Sequence, residues 1–279
     1  VDAAAPVTVG LPAGARMCHA ILQRSKYRSS RSQATGVASH RQQGEPPPMT
    51  ALPLDRPKSL TARAFDRLLH SIVHGEIAYG TMLSEKAVAE TFGTSKTPIR
   101  EAFFQLQSLG LVEIQPQRGC FVPFPTIDKV RELCELRIEL ESYALGLSME
   151  RGQARLLEAL SSPFAEMEKM RDGYQRETYH TLDQDFHKAF FVACGNSLLA
   201  EVYGSVDPRI QALRANFSSP NEQLFEVSRN EHAAIVQAVA DRNLESATAT
   251  IREHISRVRD IYSEGIEKRK PLDPTLAHL

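Results

Sequence analysis

From Thr126 to Lys268 the apolar residues recur at helical spacing, segment after segment, and no stretch shows the strict alternation of a half-buried strand. That pattern allows only helix-on-helix packing for the C-terminal half. Helices are expected near 126–150, 153–171, 176–194, 197–216, 221–242 and 244–268, with a kink or break where Pro208 falls inside the fourth. Short connections between six such helices imply an antiparallel bundle.

The remainder divides in two. Residues 1–57 are rich in Ala, Gly, Ser, Gln, Arg and Pro and end in Glu45-Pro46-Pro47-Pro48. That composition predicts a disordered leader, and Met49 suggests itself as the true start. Residues 58–125 carry clear patterning and close at Pro123 and Pro125, which mark a domain boundary before a helical domain over 126–270 and a tail over 271–279. The formal net charge of -1 conceals an asymmetry of +4, +1 and -6 over 1–57, 58–125 and 126–279. Contact with a polyanion therefore falls to the N-terminal half. Cys18, Cys120, Cys134 and Cys194 form no C-x-x-C pair, so reduced packing thiols are expected. No run of eighteen apolar residues occurs, and a cytoplasmic protein without a membrane partner is expected.

Within 58–125, a first helix runs from Ser59 to His74 and stops at Gly75, and a second starts at the N-cap Ser84 and ends at Gly93. A third, capped by Ser95 or Thr97 with Pro98 in its first turn, continues through Ile99, Ala102, Phe103 and Leu106 to Gly110. Leu111–Ile114 and Cys120–Val122 read as strands joined by a Gln115–Gly119 turn. Ala89, Phe92, Gly93 and Ile99 have the spacing of a helix-turn-helix, in which a small residue and a glycine turn let the second helix leave the first steeply. The start of the third helix presents Ser95, Lys96, Thr97 and Arg100. Arg100 suits a guanine edge, Ser95 and Thr97 suit phosphate, and Arg118-Gly119 forms a wing tip able to approach a minor groove.

Asp183 and His187 lie four apart, on one face of a helix. His232 and His254 stand about ten residues before and after the Arg242-Asn243 turn, so at ~1.5 Å per residue they share one height, about 15 Å from it. One Asp and three His can thus converge on a divalent metal inside the bundle, and the donor set suits zinc, nickel, iron or manganese alike. His70 and His74 have similar spacing but no carboxylate partner in the sequence, and read as helix-end residues; His19, His40, His180 and His278 suggest no cluster.

Leu83-Ser84-Glu85-Lys86, Ala89-Glu90, Gly93, Ser95 through Ala102, Leu106, Gly110-Leu111 and Gly119 resemble the winged helix-turn-helix of GntR-family regulators. The resemblance implies DNA contact from Lys86, Lys96, Thr97, Arg100 and Gly119, with Lys96 where arginine is commoner. Glu135 through Glu141, Asp183-x-x-Phe186-His187, Gly195-Asn196, Glu231-His232 and His254-Ile255 resemble the FCD domain of the FadR subfamily. That resemblance implies a helical effector domain whose Asp183, His187, His232 and His254 hold a metal and whose ligands are small carboxylates or sugar acids. Arg137 then becomes a carboxylate clamp, or else an ion-pair partner of Glu141, while Arg214 and Asn216 are further pocket candidates.

The function expected is a homodimeric transcription regulator, a repressor, that binds a double-stranded operator and responds to a small carboxylate effector. The alternatives are a metal-dependent enzyme and a regulator whose metal is purely structural. Asp185 and Glu231 are the carboxylates nearest the set along the chain, and both are expected to point away from it.

Overall fold

The computed structural model describes residues 58–218 and 222–269. The leader, Met49, Cys18 and the tail beyond 269 lie outside the described residues.

Helix α1 (Leu60–Val73) begins where Ser59 Oγ accepts from the Ala62 amide at 3.1 Å. Ala64, Leu68 and Ile72, four residues apart, form its buried face. Strand β1 (Met82–Leu83) precedes α2 (Glu85–Thr91), which Ser84 caps through the Ala87 amide. Gly93 has φ +61°, the left-handed conformation that closes α2 and turns the chain into α3 (Lys96–Ser108). Ser95 holds the N-cap position of α3, but its hydroxyl makes no capping hydrogen bond. Strands β2 (Glu113–Gln115) and β3 (Gly119–Phe121) complete an antiparallel sheet of order β1-β3-β2, with Ile114 and Leu83 both registered on Cys120. Strand β1 was not expected: two residues are too few to show alternation, and it exists because β3 offers a free edge.

The C-terminal half is helical, as its periodicity requires. Helix α4 (Ile127–Lys169) is capped by Thr126 and contains one non-helical residue, Gly152, at φ -170° and ψ 55°. The expected pair of helices over 126–150 and 153–171 thus meets at a kink at Gly152, the second ending at Lys169 before a 3-10 turn at Met170–Asp172. Helices α5 (Arg176–Ala193), α6 (Ser197–Phe217), α7 (Glu222–Ala240) and α8 (Leu244–Arg269) follow. Pro208 does not break α6, contrary to expectation. The carbonyl that loses its donor belongs to Gly204, which is exposed and open to water. The turn between α7 and α8 places Arg242 at φ 58°, and Asn243 Oδ1 accepts from the Ser246 amide at 3.0 Å.

Two cores result. The bundle core includes Leu145, Leu156, Phe186, Phe190, Ile235 and Ile251, each worth about 1.5–3 kcal/mol of apolar burial. The second core joins α1, α3 and the sheet, and Ala212 of α6 enters it fully buried. Helix α6 therefore belongs to both halves. Arg209 Nε donates to the Leu109 carbonyl at 2.7 Å, and Tyr79 stacks on Phe217 with centroids 5.5 Å apart. A Cβ on Gly75, which has φ +76°, would lie 3.5 Å from the Ala215 Cβ, in ordinary contact. Cys120, Cys134 and Cys194 are free and buried.

Candidate metal centre and nucleic-acid interface

Helix α5 brings Asp183 and His187 inward one turn apart, and the α7–α8 hairpin supplies His232 and His254 at the same level. One donor atom from each of the four lies within 4.8 Å of every other, and all four residues are buried. Asp183 Oδ1 stands 3.3 Å from His232 Nε2 and 3.8 Å from His187 Nε2. His187 Nε2 and both ring nitrogens of His232 are buried without a hydrogen-bond partner. Such orphaned nitrogens are costly unless something electrophilic faces them, so the donor set fits a divalent cation.

Each of two histidines is oriented from behind by a carboxylate. His187 Nδ1 lies 2.6 Å from Glu141 Oε2, and His254 Nδ1 lies 2.6 Å from Glu231 Oε2. These contacts leave Nε2 to face the cluster. Glu141 also accepts from Arg137 Nε at 2.6 Å and from Tyr203 Oη at 3.2 Å; Glu231 accepts from Arg257 Nε at 2.8 Å. Burial alone would raise both carboxyls, yet Arg137 and His187 hold Glu141, and Arg257 and His254 hold Glu231, at about 2. Burial pushes His232 and His254 below the ordinary imidazole value, which keeps them neutral and able to ligate. Asp183 is held well below the carboxylate range against its own burial, chiefly by Arg214, whose Nη2 bonds Oδ2.

Beside the cluster is a partly enclosed cavity of about 70 Å³. Arg137 lines it and keeps its Nη2 buried and unpartnered. The ion-pair reading of Arg137 holds through Nε and Glu141, and Nη2 is left without a hydrogen-bond partner. Arg214 also lines the cavity. Asn216 does not. Its side chain turns back along the helix to donate to the Ala212 carbonyl at 2.9 Å, beside Gly75. The one-turn, four-residue spacing that ties Asn216 to Ala212 carries it to the face of α6 that meets α1.

His180, Tyr179 and Tyr262 line the cavity and were not singled out from the sequence. His180 precedes Asp183 by three residues and Tyr179 by four, so the helical face that carries the metal ligands already pointed to them. His180 Nε2 lies 2.9 Å from Ser218 Oγ, and burial, then Arg214, pull its pKa down to about 3. Glu231 stands behind His254, away from the cavity, as expected. His70 and His74 stack with centroids 4.0 Å apart at the exposed end of α1.

In the N-terminal half, Lys86, Ser95, Lys96, Thr97, Arg100, Arg118 and Gly119 are all exposed. Gly93 puts the start of α3 outward, so the free hydroxyl of Ser95, Lys96, Thr97 and Arg100 share one end. Arg100 is already engaged: Nε and Nη2 donate to the two oxygens of Glu85 at 3.0 and 2.8 Å. Gly119, at φ 108° with open space around its Cβ position, opens β3 opposite Gln115, next to Arg118 of the β2–β3 turn.

A winged helix-turn-helix packed on a helical bundle with a buried polar cluster is the architecture of a DNA-binding regulator. Residues 60–122 match the model for bacterial regulatory proteins of the gntR family, and residues 132–257 match the FCD domain. The chain belongs to the GntR family of transcriptional regulators and carries an FCD domain. It is 29% identical over 214 residues to the HTH-type transcriptional regulator BphR of Paraburkholderia xenovorans, covering 73% of this chain and 85% of that one. It is 28% identical over 201 residues to the HTH-type transcriptional repressor RspR of Escherichia coli, covering 69% and 84%. The E. coli McbR/YncC structure shares the fold at a TM-score of 0.64 and 21% identity, covering 74% of this chain and 98% of that one. These families and relatives are transcription regulators, not enzymes, which sets aside the metalloenzyme alternative. Among the described residues, no helix is long and apolar enough to cross a membrane.

Proposed function

We propose that this regulator is a homodimeric repressor whose operator affinity is set by a small carboxylate bound at a divalent metal held by Asp183, His187, His232 and His254. The observation that carries this reading is the meeting of those four donors, of which Asp183 and His254 line one cavity together with Arg137, whose Nη2 is unpartnered. A bound metal would supply a Lewis-acidic position for a carboxylate oxygen. Arg137 Nη2 would take the other oxygen, and Arg214 would keep Asp183 ionised and aimed.

On the DNA side, Lys86, Ser95, Thr97 and Gly119 serve phosphate, while Arg100, Lys96 and Arg118 reach base edges or the minor groove. Glu85 holds the Arg100 fork extended in the free protein, and reading a guanine requires that pairing to be shared or released. Two heads from a two-fold dimer suit a pseudo-palindromic operator. Helix α6 is the connection: Arg214 touches the metal ligand Asp183, while Arg209 and Ala212 of the same helix touch the DNA-binding half. A ligand that draws on Arg214 acts on a helix that both cores share.

Fluorescence anisotropy on DNA from upstream of the protein's own gene, titrated with a panel of small carboxylates, tests the reading. Arg100→Ala is expected to lose operator binding, and His232→Ala to keep it but lose the ligand response. Equal loss in both folded variants would overturn separate roles. Operator binding that no carboxylate alters, with a large melting shift on chelation, would move the metal to a structural role.

A further inference from the structure

The two ends of the cavity differ in chemistry, and the difference selects among carboxylates. At the metal end stand Asp183, His254, Arg137 and Arg214. From there α7 read backwards and α8 read forwards run the same way, because the two helices form an antiparallel hairpin. Phe225 lies seven residues before His232, and Ile261 lies seven after His254, so the far wall is about 10 Å from the cluster at ~1.5 Å per residue. That wall is apolar. Leu224, Phe225, Val258 and Ile261 line it. Tyr174 and Tyr179 close it, each with its ring centroid 4.9 Å from that of Phe225.

Of the polar groups between the two ends, those of Tyr179, Ser218 and Arg257 are already committed, which leaves the Tyr174 and Tyr262 hydroxyls. Tyr179 Oη donates to Ser228 Oγ at 2.7 Å, Ser218 Oγ faces His180 Nε2 at 2.9 Å, and Arg257 is bound to Glu231. A polyhydroxy acid, with a hydroxyl on nearly every carbon, would have to leave several of them desolvated without partners, at about 1–3 kcal/mol each. An apolar body loses nothing there and gains from burial against the ring cluster.

We propose that the effector is a monocarboxylate with an apolar body, aryl or branched alkyl, and not a sugar acid. The inference rests on the reading of this cavity as the effector site, and it narrows that reading. The carboxylate lies at the Arg137 end and the body points toward Phe225, inside a site that rewards shape at one end and charge at the other.

Isothermal titration calorimetry on the full chain, once loaded with zinc and once treated with a chelator, compares 3-phenylpropionate with gluconate. The aryl acid is expected to bind at least tenfold more tightly in both preparations, because the preference comes from the far wall, with a negative heat-capacity change from apolar burial. Phe225→Leu, a change that keeps the wall apolar but removes the ring, should weaken 3-phenylpropionate severalfold and leave acetate unchanged. Val258→Thr, nearly isosteric, should do the same and guards against a folding defect in the first variant. Tighter binding of gluconate, or equal binding of the two acids, would overturn the inference while leaving a carboxylate site intact. Binding of neither acid by either preparation would overturn the effector-site reading as well.

Discussion

Replacement of Glu141 by glutamine probes the arrangement that holds the metal centre together. The carboxylate is fully buried and accepts from Arg137 Nε, His187 Nδ1 and Tyr203 Oη. A glutamine offers one carbonyl oxygen to these three donors and turns its amide hydrogens against at least one of them. It also leaves Arg137, only 1% exposed, without its counter-ion. Breaking a buried pair by removing one partner costs about 3–5 kcal/mol. A second route gives a similar figure: lowering the carboxyl from its ordinary 4.5 to about 2 corresponds to about 3 kcal/mol. The sign is that of a depressed acid. The contribution is complete above pH 4.5 and is lost as the pH falls toward 2. Urea unfolding of the chelator-treated chain at pH 7 should therefore show Glu141→Gln about 3 kcal/mol less stable than the parent, and zinc affinity should fall 10- to 100-fold as His187 loses its orienting partner. Arg137→Met combined with Glu141→Gln should recover much of the stability but none of the zinc affinity. A single variant that costs under about 1 kcal/mol and binds zinc as the parent does would refute the account of Glu141 as both counter-ion and positioning group.

Gly93→Ala should cost about 1–2 kcal/mol in thermal unfolding from its left-handed φ of +61° alone, since open space surrounds its Cβ position. Acidification should release metal: burial holds His232 and His254 below their ordinary 6.5, so the unfolded chain takes up protons there first. Stability should fall as the pH drops through 6.5, and zinc should be released lower still, where the folded histidines themselves take up protons, which a pH series of unfolding curves and zinc titrations would show. Saturating the site at a hundredfold excess over its dissociation constant should add about 2.7 kcal/mol, visible as a rise in Tm that chelator reverses. Glu85→Ala should free the Arg100 fork, altering the salt dependence of operator binding in anisotropy titrations far less than Arg100→Ala does.

The convergence of Asp183, His187, His232 and His254 was legible because both of its rules are short-range: four residues return a helix to the same face, and equal distances from a tight turn return two helices to the same height. The helix-turn-helix was legible for the same reason, since Ser84, Gly93 and Ile99 act through local capping, φ and burial. What depended on partners far along the chain was not. Strand β1 is defined only by its pairing with β3, and the continuity of α6 at Pro208 depends on the exposure of Gly204. Asn216 shows the limit most clearly: it was a pocket candidate along with Arg214, whereas two residues further along the helix it faces Ala212 and Gly75 instead. The carboxylates behind His187 and His254 required knowing which helices face one another across 46 and 23 residues.

Ala212 has a consequence for modularity. Families such as this one invite the view that reading heads and sensors are interchangeable cassettes, exchanged whole during evolution or by an engineer's splice at Pro123–Pro125. Here the cassette is not self-contained, because a side chain from the sensor is buried among Ile72, Phe103 and Leu106 as a member of the head's own interior. A chimera joined at the prolines would inherit a hole where that methyl group sat, together with an unanswered Leu109 carbonyl. Grafting such a head onto a foreign sensor would require carrying a face of α6 with it.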